Sequence, residues 1–344
     1  MGIQLSEGQR LLVDEVINKG ICVSCGACVG LCPYFDYFDG RVVVMDRCCA
    51  DTWKCVQLCP RLDSDIISPG TGGPGFAEDG GIGTHRHVVM ARACDDEIRE
   101  KGQYGGVVSA LLIYGLETGY IKSAILTDVG GEDSPGERTA ENRPDVLSCA
   151  GSRYSAAGGL SALNRAIEAG KDGLGIVGLP CQMEALARMG LMKPDGEKRA
   201  GCVALKIGLF CTWAVDHRQL AVFLERHGVQ RSTGRFDIPP PPAEVFQVQT
   251  ENGWMDFPLS DIRPLVLKGC ALCKDMTAER ADISVGAVEG LGGWNTVIVR
   301  TEAGLEIFDA AIDAGWLQTS ELPEENLEHL KEAAYNKRER DPHG

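Results

Sequence analysis

The sequence lacks any apolar run of the roughly 20 residues that a membrane-spanning helix needs. Its first residues, MGIQLSEGQRLLVDE, also lack the basic region followed by an apolar stretch that marks an export signal. We therefore expect a cytoplasmic protein with no direct membrane insertion.

Positive charge is scarce as well. The 344 residues contain 34 Lys and Arg against 49 Asp and Glu, which gives a formal net charge of -15. A protein that follows phosphates needs a clustered basic surface, so no nucleic acid partner is expected. No Ser/His/Asp or paired-carboxylate pattern stands out, and the six histidines fall in predicted loops or on helix surfaces. Catalytic side chains therefore stay unassigned.

Cysteine is abundant, with fifteen residues. A secreted disulfide scaffold would be shorter and would carry an export signal, whereas regularly spaced cysteines in a cytosolic chain more often bind metal. We expect most of these thiols to be metal ligands.

The densest cysteine motif reads CVSCGACVGLCP and contains Cys22, Cys25, Cys28 and Cys32. This is the C-x2-C-x2-C-x3-C-P spacing of bacterial ferredoxins, in which three thiolates hold one 4Fe-4S cluster and the fourth reaches a second. A zinc site is the alternative, but four ligands so close in one run fit it poorly.

A less regular set follows, in CCADTWKCVQLCP. A full ferredoxin repeat would need a cysteine at position 52, where the chain has Thr52. The first cluster is expected to use Cys22, Cys25, Cys28 and Cys59. A second cluster would use Cys32, Cys55 and either or both of Cys48 and Cys49. The spacing therefore leaves open whether the N-terminal segment holds one cluster or two.

The chain divides into four predicted segments. Residues 1–69 form a small ferredoxin-like (α+β) 4Fe-4S domain, and the glycine-rich residues 70–84 form a linker. In residues 85–320 helical and strand-like stretches alternate, which indicates an α/β domain. Residues 321–344 form a charged, solvent-facing C-terminal helix and tail.

Four further cysteines are dispersed through the α/β segment: Cys181, Cys211, Cys270 and Cys273. Each lies next to a predicted turn or strand end. Spacing alone leaves a shared metal site and separate packing thiols equally open, because cysteine is often buried for packing reasons. The nearby GLGIVG at residues 173–178 follows a predicted helix and lies within a strand, so it is not a dinucleotide fingerprint.

Residues from about 100 to 320 resemble the coenzyme F420 hydrogenase/dehydrogenase beta subunits. The matching stretches are QYGGVVSALLIYGLETGYI, AGSRYSAAG, GLPCQ, KIGLFC, GCALCKDMTAERADISVGAVEG and GWNTVIVRTEAG. This resemblance implies a mixed-sheet α/β domain that binds FAD and one intrinsic 4Fe-4S cluster. It also implies that the four dispersed cysteines are the ligands of that cluster, and longer members of the family carry an N-terminal ferredoxin-like module.

The activity that the resemblance implies is that of an oxidoreductase. Hydride would pass between coenzyme F420, the substrate, and FAD, and single electrons would pass through two or three 4Fe-4S clusters to or from a partner. The partner would be a formate dehydrogenase, a hydrogenase, a heterodisulfide-reductase-type complex or a membrane F420H2 dehydrogenase complex. The alternatives are a ferredoxin-dependent reductase of an organic substrate and a purely electron-transferring bridging subunit.

Two stretches are the main flavin-binding candidates. Gly105 and Gly106 lie at a predicted helix start, where free N–H groups favour a phosphate, and Ser109 adds a hydroxyl. Close helix packing is the alternative for the two glycines. Arg153 and Tyr154 offer a cation and an aromatic ring, with an ordinary surface turn as the alternative.

A third stretch, ADISVG, is assigned to the same region by analogy alone, through Asp282, Ser284 and Gly286. Lys206 and Arg300 could meet an acidic coenzyme tail, although such residues are more often solvated charges.

Overall fold

The structure is a computed structural model that describes residues 6–48, 50, 53–62, 75–128, 136–193, 195–229, 235–239 and 243–341. Its strands are β1 (Phe35–Phe38), β2 (Arg41–Val44), β3 (His87–Ala93), β4 (Ser123–Asp128), β5 (Gly136–Ala140), β6 (Leu174–Gly178), β7 (Val203–Leu209), β8 (Phe236–Asp237), β9 (Val245–Thr250), β10 (Gly253–Pro258), β11 (Ile283–Ala287), β12 (Asn295–Val299) and β13 (Leu317–Glu321).

The α-helices are α1 (Glu7–Leu12), α2 (Lys54–Leu58), α3 (Asp96–Lys101), α4 (Val107–Thr118), α5 (Arg143–Ser148), α6 (Gly159–Glu168), α7 (Pro180–Leu191), α8 (Gly196–Gly201), α9 (His217–Arg226), α10 (Leu259–Ile262), α11 (Glu302–Asp313) and α12 (Glu324–Glu339). A π-helical turn, Val13–Ile17, continues α1, and two short 3-10 turns cover Arg263–Leu265 and Lys268–Leu272.

One large sheet dominates the described part of the chain, with eight strands in the order β13-β3-β12-β11-β7-β6-β4-β5. The central strands β11, β7, β6 and β4 run parallel, and antiparallel strands flank them. Central strands covered on both faces need apolar side chains on both faces, and all five residues of NTVIV in β12 are buried. The predicted mixed-sheet α/β architecture is confirmed.

Helices cover both faces of the sheet. Helices α4 and α11 pack in one apolar core with the sheet, and α6 and α7 pack in a second. Strands β9 and β10 form a hairpin with Glu251 and Asn252 between them, and they make a small separate sheet with β8. Among the described residues, no helix is long and apolar enough to cross a membrane.

The C-terminal helix differs from its prediction as a solvent-facing helix. Helix α12 buries Ala334 and Lys337, and Leu327 and Leu330 pack against the core beside Ile298. The helix contains many charged residues, but positions 327, 330, 334 and 337 follow helical spacing and form one inward face. The charged composition of α12 therefore did not indicate the row of residues that packs against the core.

The described residues 6–48, 50 and 53–62, here called the N-terminal module, have a small core of their own. Leu12, Val16, Phe35, Val42 and Val56 are buried together. Ser6 caps α1 by accepting a hydrogen bond from the Gln9 backbone N–H, as the SEGQ pattern predicts. Gly20, at φ 70°, follows the π-helical turn and leads the chain into the first cysteine motif.

The N-terminal module is docked on the α/β part by hydrogen bonds from buried side chains. Asn164 of α6 is fully buried, and its Nδ2 donates to the carbonyl oxygens of Ala27 (3.0 Å) and Val29 (2.7 Å). Arg188 of α7 donates to the carbonyl oxygens of Cys59 (2.7 Å) and Leu62 (2.9 Å). These bonds tie both cysteine-bearing segments of the module to helices next to the sheet.

Candidate redox centre

Four dispersed cysteines meet at the carboxyl edge of the sheet and are called the inner thiol group: Cys181, Cys211, Cys270 and Cys273. All four line one cavity, together with Pro180, Trp213 and Lys337. Strands β6 and β7 are parallel neighbours, with Gly178 opposite Gly208, so the segments that follow them emerge side by side. Sites form at such edges because successive carboxyl ends converge there.

Local structure sets the direction of each inner thiol. Pro180 occupies the first turn of α7, where its missing N–H costs nothing, and Cys181 follows directly. The Cys211 N–H donates to the Met276 carbonyl oxygen at 2.9 Å, which fixes the chain after β7. Cys270 lies in the 3-10 turn Lys268–Leu272, and its Sγ accepts a hydrogen bond from the Ala214 N–H at 3.4 Å.

Burial dominates the electrostatics of the inner thiol group. It raises the pKa of Cys211 to about 12 and that of Cys181 well above the ordinary thiol value. The neighbouring thiols add to these pKa rises because several thiolates in one cavity repel one another. Bound iron would reverse this pattern, because a coordinating thiol is deprotonated by the metal charge.

A second cavity lies in the N-terminal module and is lined by Cys22, Cys25, Cys28, Cys55 and Cys59. We call Cys22, Cys25, Cys28 and Cys59 the N-terminal thiol group. The backbone curls between the first three because Ser24 (φ 54°) and Gly26 (φ 82°) are left-handed. The Ser24 N–H also donates to the Cys22 Sγ at 3.4 Å. Burial raises the pKa of Cys25 to about 12 and that of Cys59 to about 11.

A third set consists of Cys32, Cys48 and Cys55. Burial raises the pKa of Cys55 to about 11, and the Cys32 and Cys48 thiols add to this rise. The Cys48 N–H donates to the Gln9 Oε1 at 2.7 Å, which holds this thiol against α1. Cys49 and Thr52 lie outside the described residues, so the second N-terminal cluster stays a prediction.

The inner and N-terminal thiol groups are neighbours. Val23 lines both cavities, and the Cys25 thiol contributes to the raised pKa of Cys181. Arg61 lines the N-terminal cavity, while its Nη1 donates to the Gly269 carbonyl oxygen (3.0 Å) next to Cys270. A methyl group on Gly269 would lie 1.9 Å from the Ile21 carbonyl oxygen, so the two backbones touch.

The two main flavin candidates also lie side by side. The Ser152 N–H donates to the Gln103 Oε1 at 3.0 Å, which joins the loop before α4 to the loop that carries Arg153 and Tyr154. Gln103 and Tyr104 both donate to the Asp237 carboxylate, at 2.6 and 2.9 Å. Asp237, the last residue of β8, thus contacts the loop before α4, a contact that the sequence patterns did not indicate.

Arg153 has a side-chain donor without a partner among the described residues. Burial lowers its pKa, and no described residue accepts a hydrogen bond from its Nε. The Tyr154 hydroxyl already has a partner within the protein, since it accepts a hydrogen bond from the Ile238 N–H at 2.9 Å. The Arg153 guanidinium therefore retains an N–H donor, from which a pyrophosphate oxygen could accept a hydrogen bond.

The glycines before α4 serve close packing. A methyl group on Gly105 would lie 2.8 Å from the Ala91 carbonyl oxygen, and Gly106 has a left-handed φ of 71°. The first N–H of α4, on Val107, donates to the Asn295 Oδ1 at 3.3 Å, and Ser109 is buried. A phosphate role for Gly105, Gly106 and Ser109 stays a prediction.

The third flavin candidate is tied into the core. Asp282 accepts hydrogen bonds from the Lys206 N–H (2.8 Å) and the Thr301 hydroxyl (3.0 Å), and it pairs with the Lys206 ammonium. Ser284 donates to the Ala278 carbonyl oxygen, and a methyl group on Gly286 would lie 1.9 Å from the Phe210 ring. Any flavin role for these three residues remains a prediction.

Neither Lys206 nor Arg300 is a free cation for a coenzyme tail. Lys206 pairs with Asp282. Arg300 is fully buried and donates to Ser284, Ile82, Thr84 and Thr277. The arginine instead joins the segment before β3 to the sheet.

The fold and the converging thiols define a cysteine-rich α/β protein of the redox class. The model of the coenzyme F420 hydrogenase/dehydrogenase beta subunit N-terminal region matches residues 88–164, and the model of its C terminus matches residues 171–325. The chain belongs to this family and is an oxidoreductase.

Individual relatives agree. The coenzyme F420 hydrogenase subunit beta of Methanosarcina barkeri is 34% identical over 270 residues, covering 76% of this chain and 92% of the relative. The coenzyme F420-dependent sulfite reductase of Methanocaldococcus jannaschii is 31% identical and covers 94% of this chain, which spans 51% of that larger protein. A chain of the F420-reducing [NiFe] hydrogenase complex of Methanosarcina barkeri superposes with a TM-score of 0.72 at 32% identity, over 77% of this chain and 92% of its own.

Proposed function

We propose that the chain exchanges hydride between coenzyme F420 and a bound FAD and passes the electrons singly through 4Fe-4S clusters to or from a partner. The observation that supports it most is the neighbouring position of two four-cysteine groups in a protein of an F420-linked family. Electron transfer over such a path needs closely spaced centres.

The donor set fits iron–sulfur clusters. Four thiols and few other polar groups line the inner cavity, and thiolates are the usual ligands of a 4Fe-4S cluster. Among the described residues, no group of three or more His, Cys, Asp or Glu is arranged to hold a single metal ion. A 4Fe-4S cluster binds its four thiolates through separate irons, so we propose it for these cavities from the four-cysteine donor set alone.

The chain's own residues have distinct tasks in this proposal. The inner thiol group and the N-terminal thiol group would each hold one cluster, which gives two clusters. A third, where present, would use Cys32, Cys55 and either or both of Cys48 and Cys49. Arg153 would bind the pyrophosphate of FAD. When bound, FAD accepts electrons in pairs from a hydride donor and releases them one at a time.

The reaction balances without a further reactant. F420H2 becomes F420, two protons reach water, and two electrons leave singly to the partner. We propose as partner a catalytic or electron-accepting subunit of a larger redox complex, of the hydrogenase, formate dehydrogenase, heterodisulfide reductase or F420H2 dehydrogenase type. The sulfite reductase relative, twice the length of this chain, supports an F420H2-oxidising unit that feeds a separate reductase site.

The test is anaerobic reduction of the FAD-loaded protein. F420H2 is expected to bleach the flavin absorbance, and NADH is not. If neither donor bleaches the flavin, hydride exchange is refuted and the bridging alternative is favoured. Iron and acid-labile sulfide assays of the parent protein show whether there are two clusters or three. With three, a loss of about four irons in Cys48→Ser, in Cys49→Ser or in both shows which of these cysteines is a ligand.

A further inference from the structure

A lysine from the C-terminal helix reaches the inner thiol group. Lys337 lies on α12 and is only 3% exposed. Its Nζ donates to the Cys211 carbonyl oxygen at 2.6 Å, and its side chain lines the cavity of the inner thiol group. It also lies beyond residues 171–325, the range that matches the family model.

The ammonium of Lys337 has no carboxylate partner among the described residues, although its helix neighbours do. Lys331 pairs with Asp79 and Glu328, and Arg338 pairs with Glu279. An ammonium removed from water is costly unless an opposite charge compensates it. The cation that faces the thiols therefore lacks the carboxylate partner that Lys331 and Arg338 have.

A cluster in the inner cavity would supply that anion. Four thiolate ligands give a 4Fe-4S cluster a net negative charge, and reduction adds one more electron. In a buried site, a nearby cation stabilises the more negative reduced form more than the oxidised form.

We propose that Lys337 is the buried counter-cation of the cluster held by Cys181, Cys211, Cys270 and Cys273, and that it raises the reduction potential of this cluster. The inference rests on the proposed function, because it requires a cluster in the inner cavity. Lys337 acts on the cluster through its charge and is not one of the cluster ligands. The higher reduction potential would make the inner cluster a better electron acceptor. A residue of α12 would thereby influence electron transfer.

The experiment is a redox titration of the anaerobic, cluster-loaded full chain, followed by electron paramagnetic resonance. Lys337→Met removes the charge at nearly constant volume, Lys337→Arg keeps it, and Lys331→Met removes a paired surface charge from the same helix. The signal of the inner cluster is first identified as the one that Cys270→Ser abolishes. Absence of any such signal in the parent protein refutes the proposed function itself.

In Lys337→Met we expect the one-electron equilibrium to shift about tenfold toward oxidation, a fall of about 59 mV. Lys337→Arg and Lys331→Met should keep the parent potential. Iron loss in Lys337→Met with full loading of Lys337→Arg also supports a charge requirement. An unchanged potential in a loaded Lys337→Met protein overturns the proposal. Equal potential falls, or equal iron losses, in Lys337→Met and Lys337→Arg overturn it too, because they assign the effect to packing.

Discussion

The two four-cysteine groups are assembled in opposite ways. In the N-terminal thiol group, three cysteines lie within seven residues, and left-handed Ser24 and Gly26 bend the backbone around the cavity. In the inner thiol group, the cysteines lie between residues 181 and 273. Parallel strands β6 and β7 bring the segments of Cys181 and Cys211 side by side, and a distant 3-10 turn adds the other two thiols. Local sequence spacing determines the first arrangement, whereas sheet topology determines the second.

The same difference decides what sequence could predict. The ferredoxin spacing predicted the N-terminal thiol group directly, and the predicted helix start at Gly105 and Gly106 lies directly before α4. Spacing left the inner thiols undecided, and only the family resemblance grouped them. The contacts of Arg61 and Lys337 depend on how distant segments dock, which no local pattern records.

The C-terminal helix illustrates this limit. Its high charge suggested a solvated helix, although Leu330, Ala334 and Lys337 follow helical spacing on one face. Buried lysine is rare, so its presence on an inward stripe is the signal that points to a nearby anion.

The largest expected effect comes from removing one inner thiol. Cys270→Ser should cost about four irons and four sulfides per chain while the N-terminal thiol group keeps its cluster, because the two cavities use different cysteines. Iron and acid-labile sulfide assays measure the loss. Cys149→Ser, at a buried thiol outside both groups, is the matched control and should lose none. An unchanged iron content in Cys270→Ser would contradict the assignment.

The docking of the N-terminal module should be the next most sensitive feature. Asn164→Leu leaves the Ala27 and Val29 carbonyl oxygens buried without a donor, so we expect the free energy of unfolding to fall by about 2–4 kcal/mol. Chemical unfolding of the anaerobic protein measures this change. Asn18→Leu, which removes an exposed hydrogen bond to Asp14 in the same module, should change the free energy of unfolding by less than about 0.5 kcal/mol. Equal effects would show that the Asn164 bonds do not hold the module.

Flavin affinity gives a moderate effect that is separate from both thiol groups. Arg153→Met removes a guanidinium with an unpaired buried Nε, and we expect FAD to bind about tenfold more weakly. Fluorescence titration of the apoprotein with FAD measures the dissociation constant. Arg138→Met, which removes an arginine paired with Asp128, is the control. If both variants bind FAD like the parent protein, the pyrophosphate lies elsewhere.

The smallest expected effect is a pH dependence at the contact between the two regions. Burial raises the pKa of Glu137, and the Glu137 carboxylate in turn contributes to the raised pKa of Tyr37 in the N-terminal module. A carboxyl with a raised folded-state pKa favours folding in its protonated form. The parent protein should therefore lose stability relative to Glu137→Gln as pH rises from the unfolded-state pKa through the raised folded-state pKa. Thermal unfolding midpoints across this range test it, and parallel profiles would contradict it.

The central claim is that the two thiol groups hold neighbouring clusters on one electron path. Electron paramagnetic resonance of the fully reduced protein tests this most directly, because close paramagnetic clusters interact and split or broaden each other's signals. We predict an interaction signal in the parent protein that loses the contribution of the inner cluster in Cys270→Ser and leaves only the spectrum of the N-terminal module. A parent spectrum that is the plain sum of independent cluster signals would contradict the account.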